Sequence, residues 1–321
     1  RTARMSVDVL ITGSAGFVGE ALARRLVSQG RSVAGVDLRA GVFPTRRMDV
    51  TDVTEVRSVV ESCRPRVVVH AAAIVDDRVP RARMFEVNVG GTEHVLNACE
   101  HLGIRRCVHV SSIAALGLDP GPHAGEGSPL RTEQDAAYFD SKGAAEQIAR
   151  ETRKRGSIEV AIVRPGDVWG PRSEPWVERP LQMMRAKQPL LGGGGRGYIA
   201  HCHIDTIVDA LVLAIDHPDA TQSSLLVHDA ERTTYRTYFD ALADAAGLPR
   251  PRVSMPGPLA LAAARMAETV ARRLGLTPPM TEGAVRYLLR RTEYDVGPTR
   301  ALGWAPRVTL AEGMRALAKR L

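Results

Sequence analysis

The segment Val9-Leu10-Ile11-Thr12-Gly13-Ser14-Ala15-Gly16-Phe17-Val18-Gly19 constrains this chain more than any other. An apolar, β-branched run feeds into three glycines spaced T-G-x-x-G-x-x-G, and the helical pattern Ala21-Leu22-Ala23-Arg24-Arg25-Leu26 follows. In that order the residues build an anion site. Gly13 permits a tight strand-to-helix turn, Gly16 lets backbone approach a pyrophosphate, and Gly19 lets the helix pack close on the strand. The helix N-terminus, opening at Phe17 and Val18, presents free N–H groups and a partial positive charge to the phosphates. A glycine triplet alone is weak evidence; a strand before it and a helix after it supply the confirming context.

The rest of the chain repeats the theme. Apolar strand-like runs fall at Val7–Ile11, Ser32–Val36, Val67–His70, Cys107–Ser111 and Val160–Val163, with helical patterns near 17–29, 52–63, 84–102 and 136–155 between them. Such alternation predicts an α/β fold with a doubly wound parallel sheet. After Arg164-Pro165 the texture changes, with Pro and Gly punctuating 165–199 and a glycine run at 192–195. A helix near 204–216 and a strand at Leu225–Val227 return to the α/β pattern, and the remainder is mostly helical. We therefore expect a dinucleotide-binding domain from 5–164 plus 200–230. A smaller, mostly helical substrate lobe is expected from 165–199 plus 231–321.

Asp37 ends the second strand, 18 residues after Gly19. A carboxylate there accepts both ribose hydroxyls of an adenosine and repels a 2′-phosphate, which favours NAD over NADP. Leu38 and Arg39 follow it, and Arg39 could partly accommodate a phosphate. Asp49 and Val50 precede a helix and could hold an adenine edge; Asp49 could equally be the helix cap. The small residues Ala71, Ala72 and Ala73 would let the dinucleotide lie against backbone, or serve tight packing.

Tyr138 and Lys142, at i and i+4, share a helical face. An ammonium beside a phenol favours phenolate and is expected to lower the tyrosine pKa. The pair can exchange a proton while a nicotinamide exchanges a hydride. Ser112, and less favourably Ser111, ends the preceding apolar strand where a hydroxyl can orient a substrate oxygen. Asn88 could anchor a water or backbone group near the lysine. His201-Cys202-His203 lacks zinc spacing, so no metal is expected, and Asp205 reads as a helix N-cap.

With those residues in place the chain resembles the extended short-chain dehydrogenase/reductase family over nearly its whole length. The resemblance rests on Thr12–Gly19, Asp37, His70–Ala73, Asn88–Thr92, Ser111-Ser112, Tyr138/Lys142, Arg164–Pro171 and Ala301-Leu302-Gly303-Trp304-Ala305-Pro306. It implies that Pro165 and Val168 lie at the nicotinamide end. Within the family, His70–Asp76 and Val110–Ile113 look like the 3β-hydroxysteroid dehydrogenase branch, which acts on a secondary alcohol or ketone of an apolar skeleton. The rival branch, nucleotide-sugar epimerases and dehydratases with tightly bound NAD, usually carries Asn where this chain has Asp167. A carboxylate there is expected to repel a diphosphate. Ile74, Ser112 and Asp167 are the expected substrate contacts. A nucleotide-sensing regulator, the non-enzymatic rival, would have no need of Ser, Tyr and Lys together.

The net charge of +7 comes mostly from dispersed arginine, and no nucleic-acid-binding motif accompanies it. Four scattered cysteines fit a reducing, cytoplasmic setting. The N-terminal residues carry no apolar signal region, and no apolar stretch is long enough for a stable membrane insertion. The stretch 258–267 reads as a core or lid helix, or as an interfacial contact. The family resemblance implies a homodimer through the helices near 84–102 and 136–155.

Overall fold

A computed structural model describes residues 6–76, 79–188, 190–274, 276 and 281–321. Seven parallel strands form the central sheet: β1 (Val9–Thr12), β2 (Val33–Asp37), β3 (Thr45–Arg47), β4 (Val67–His70), β5 (Arg106–Val110), β6 (Glu159–Pro165) and β7 (Ser224–Val227). Their order is β7-β6-β5-β4-β1-β2-β3. Val9–Thr12 pairs with Val33–Val36 on one side and Val67–His70 on the other. The winding reverses at β1, which opens a crevice at the carboxyl ends of β1 and β4. The interior strands β1 and β4 are buried along their whole length, as parallel strands covered on both faces must be.

The helices follow the sequence pattern. They are α1 (Phe17–Ser28), α2 (Val53–Cys63), α3 (Gly91–Leu102), α4 (Ala137–Arg155) and α5 (Ile204–Asp216). Ahead of α3, a short helix (Arg81–Phe85) runs through a π-helical turn (Glu86–Gly90) into it. Two apolar cores cover the sheet: one joins Leu22, Leu26, Val69, Ile207 and Leu211, and the other Leu10, Val56, Val68, Val95 and Val160. The edge strand β3 is not apparent from the sequence pattern, because Thr45-Arg46-Arg47 is polar and largely exposed.

A third core joins Trp169, Leu181, Tyr235, Tyr238, Phe239, Leu310 and Met314. It lies among α6 (Tyr235–Ala245), α9 (Leu310–Ala318) and the residues after β6, with Leu288 of α8 (Glu282–Leu289) packed against it; α7 (Gly257–Leu274) packs on α8. The stretch 258–267 is part of α7, where Ala264 and Ala271 are buried while Leu259, Met266, Val270 and Leu274 are exposed. No helix among the described residues is long and apolar enough to cross a membrane.

Two capping expectations are corrected. Asp52, rather than Asp49, caps α2 by accepting from the Thr54 and Glu55 amides. The His203 side chain, rather than Asp205, caps α5, accepting from the Asp205 amide at 3.2 Å. His201 is held by Asp229 at 2.7 Å and Thr233 at 2.9 Å, and Asp229 also accepts from the Trp169 indole. The H-C-H segment therefore anchors the third core to the residues ahead of α5.

Candidate active site

The glycine loop has the geometry its spacing implies. Gly13 adopts φ +74°, and a Cβ there would lie 2.7 Å from the Ala72 amide nitrogen. A Cβ on Gly19 would lie 2.2 Å from the Gly13 carbonyl oxygen, so α1 sits directly on the turn. Gly16 meets only the Gly13 carbonyl, leaving its other side open, and no side chain caps the α1 N-terminus at Phe17 and Val18. Asp37 at the end of β2 receives the Ala15 amide at 3.2 Å and the Arg39 amide at 3.1 Å, beside the same loop. An open backbone cradle at a helix N-terminus with a carboxylate at the next strand end fits a dinucleotide. Ala71 and Ala72 back onto Gly13, which gives them a packing role in addition to any ligand contact. Asp49 spends one carboxylate oxygen on the Thr51 amide and hydroxyl.

Ser112 and α4 meet at the carboxyl end of β5. Ser112 begins a short 3-10 turn and accepts from the Ala114 amide at 3.1 Å. Its hydroxyl also favours ionisation of the nearby Tyr138 phenol, but burial outweighs it and pushes the Tyr138 pKa up to about 12. The expected depression of that pKa by Lys142 is therefore corrected. The Lys142 ammonium donates to the Val110 carbonyl at 2.9 Å, and burial brings its own pKa down to about 8. Tyr138 is thus a protonated acid at neutral pH.

Ser111 turns the other way. Its hydroxyl donates to Glu146 at 2.7 Å, one helical turn beyond Lys142. Glu146 also receives Arg164 through contacts of 2.6–3.1 Å, and both side chains are fully buried. The sequence reading missed Glu146; its position four residues after Lys142 was the available signal. Asn88 brackets the Ile74 backbone, accepting from its amide at 2.7 Å and donating to its carbonyl at 2.9 Å. It donates as well to Ser141 at 3.0 Å. Asn88 therefore ties the segment after β4 to α4, and Ile74 enters the site region through its backbone.

Below Lys142 lie two buried histidines. His70 bonds Thr12 at 2.8 Å and Thr92 at 3.1 Å, and burial pushes its pKa down to about 3. His109 stacks on it with centroids 5.8 Å apart.

Asp167 departs from its expected role. It accepts from Arg290 at 2.8 Å and Ala200 at 3.1 Å, and the Tyr287 hydroxyl bonds its second oxygen. Its charge is compensated in a buried ion pair, so it offers no net repulsion to a diphosphate. Nothing in the sequence pointed to Arg290 or Tyr287, which lie more than a hundred residues away. Phe139 packs edge-on between Tyr138 and Tyr287, at 5.8 and 5.3 Å, and Trp176 lies 6.4 Å from Tyr287. An aromatic wall thus leads from Tyr138 into the third core.

Fold and site together define an NAD-dependent enzyme of the doubly wound α/β class. The model of the NAD dependent epimerase/dehydratase family matches residues 9–227, and the chain belongs to that family. Its relatives include a 4-hydroxy-2-methyl-3-oxo-4-farnesyl-3,4-dihydroquinoline-1-oxide ketoreductase from Stigmatella aurantiaca, 30% identical, covering 96% of this chain and 94% of that one. A 2-alkyl-3-oxoalkanoate reductase from Stenotrophomonas maltophilia is 28% identical, covering 97% and 98%. Among solved structures, a Thermus thermophilus UDP-glucose 4-epimerase in complex with NAD is 25% identical with TM-score 0.76, covering 97% and 98%.

Proposed function

We propose that this protein interconverts a secondary alcohol and a ketone on an apolar substrate, using NAD(H). Residues 5–164 and 200–230 bind the cofactor in this reading, and the remainder contacts the substrate. Gly13, Gly16 and Gly19 would hold the pyrophosphate, Asp37 the adenosine ribose, and Lys142 the nicotinamide ribose. Bound NADH supplies the hydride. Ser112 donates a hydrogen bond to the carbonyl oxygen, and Tyr138 delivers its proton to that oxygen as the carbon is reduced. The observation that carries the reading is geometric: the turn that Ser112 opens packs against α4, which carries Tyr138 and, one turn on, Lys142, whose ammonium donates to the Val110 carbonyl at 2.9 Å. The aromatic wall of Phe139, Tyr287 and Trp176 supports an apolar substrate, as do relatives named for ketone reduction.

An epimerase reading stays open because Asp167 is neutralised by Arg290 and a UDP-glucose 4-epimerase shares the fold. Net NADH consumption separates the two. Tyr138→Phe should keep NAD binding and lower ketone reduction by on the order of 10²-fold or more. Nucleotide-sugar epimerisation without net NADH change, or near-normal reduction by Tyr138→Phe, would overturn the proposal.

A further inference from the structure

Arg290 is committed to Asp167 through one nitrogen only. Its Nε and Nη1 are buried and have no protein partner, although the residue is 4% exposed. Tyr235, 1% exposed, also has an unpartnered hydroxyl. Both belong to one aromatic cluster: Arg290 lies over the Tyr287 ring with its guanidinium carbon 3.3 Å from the centroid, Tyr287 lies 6.4 Å from Trp176, and Trp176 stacks on Tyr235 at 6.0 Å. Buried donors without acceptors are costly, so a native structure seldom keeps several together without a ligand. The cluster adjoins the reacting end of the site. Asp167, its anchor, accepts from the Tyr287 hydroxyl, and Phe139 bridges the Tyr287 and Tyr138 rings.

We propose that Arg290 and Tyr235 form a subsite for a second oxygen acceptor carried by the ketone substrate, and that this acceptor is uncharged. The first half follows from the unpartnered donors. The second follows from charge: Arg290 and Asp167 already cancel, so a carboxylate would leave the buried cluster net negative, whereas a carbonyl, ester or N-oxide oxygen leaves it neutral. This deepens the ketone-reductase reading and rests on it. The subsite sets which ketones are preferred and takes no part in proton or hydride transfer.

The test uses three probes with the same alkyl chain: methyl 3-oxododecanoate, 3-oxododecanoate and dodecan-3-one. Binding to the protein–NAD complex is measured by calorimetry, and reduction by NADH consumption. The ester should be the preferred probe by roughly tenfold over the plain ketone, the size of one charge-assisted hydrogen bond, and should also exceed the acid. Tyr235→Phe should raise KM for the ester about five- to tenfold with kcat little changed. It should leave the plain ketone untouched and should not lower the melting temperature, since the hydroxyl bonds no protein group. Ester binding without turnover would refute the reductase reading and leave the subsite standing. Equal binding of ester and plain ketone, preference for the acid, or an equal effect of Tyr235→Phe on both ketones would overturn the subsite.

Discussion

Glu146→Gln probes the support beneath the proposed catalytic residues Tyr138 and Lys142. The carboxylate is fully buried and receives Arg164, Arg150 and Ser111, with Ser224 at 3.4 Å. Arg164 holds its pKa below the usual carboxylate range despite a burial penalty acting the other way. Glutamine keeps the shape but removes the charge, stranding a fully buried guanidinium. Breaking a buried pair in this way costs about 3–5 kcal/mol. A second consequence reaches the site. Glu146 is the group that raises the Lys142 pKa against burial, which brings it to about 8. Without the carboxylate, that value falls further and the ammonium is lost nearer neutrality. The assay is two-fold: urea unfolding at pH 7, and NAD affinity of the folded variant across pH 6–9. Stability should fall by about 3–5 kcal/mol, and the alkaline loss of NAD affinity should begin at lower pH than in the parent. An unchanged midpoint would refute the energetics, and an unmoved alkaline limb would refute the coupling of Glu146 to Lys142.

Asp37→Ser should narrow a preference for NAD over NADP of at least about tenfold (~1.4 kcal/mol), read from the two dissociation constants; an unaltered ratio removes Asp37 from ribose recognition. Gly19→Ala forces a methyl onto the Gly13 carbonyl and should cost about 1–3 kcal/mol of stability with a tenfold or greater loss of NAD affinity, measured by denaturation and calorimetry. Acidification should also destabilise the fold. His70, with its pKa depressed to about 3, stays neutral when folded but charges below its ordinary value of 6.5 when unfolded, so its stabilisation is present above pH 6.5 and is lost towards pH 3. The loss from His70 alone is on the order of 4–5 kcal/mol, and His109, also depressed, adds to it. Denaturation from pH 7 to pH 4 should show the unfolded state binding at least one more proton than the native state; a flat profile would contradict neutral buried histidines.

The parts legible in the sequence are those whose physics is local. The strand–glycine–helix turn, the i/i+4 pair of Tyr138 and Lys142, and the apolar parallel strands each depend on residues within about one or two turns of one another. Val67–His70 and the α5 boundaries coincide with the sequence pattern, and α1, α2 and α4 differ from it by a residue at one end. Strand β3 escaped because an exposed edge strand has no apolar face to announce it. What depends on dielectric and on distant partners came only with tertiary structure. Burial reversed the direction expected for the Tyr138 pKa, because desolvation of the phenolate outweighs the neighbouring hydroxyl. Asp167 reads in sequence as a lone charge facing a ligand. Its meaning changed once Arg290, 123 residues away, was packed against it. Periodicity and spacing thus determined the sheet, the glycine cradle and the Tyr/Lys pair. Which charges are paired, which polar groups lack partners and how strongly each titratable group is desolvated were decided by tertiary packing, because these depend on atoms the chain brings together only when folded.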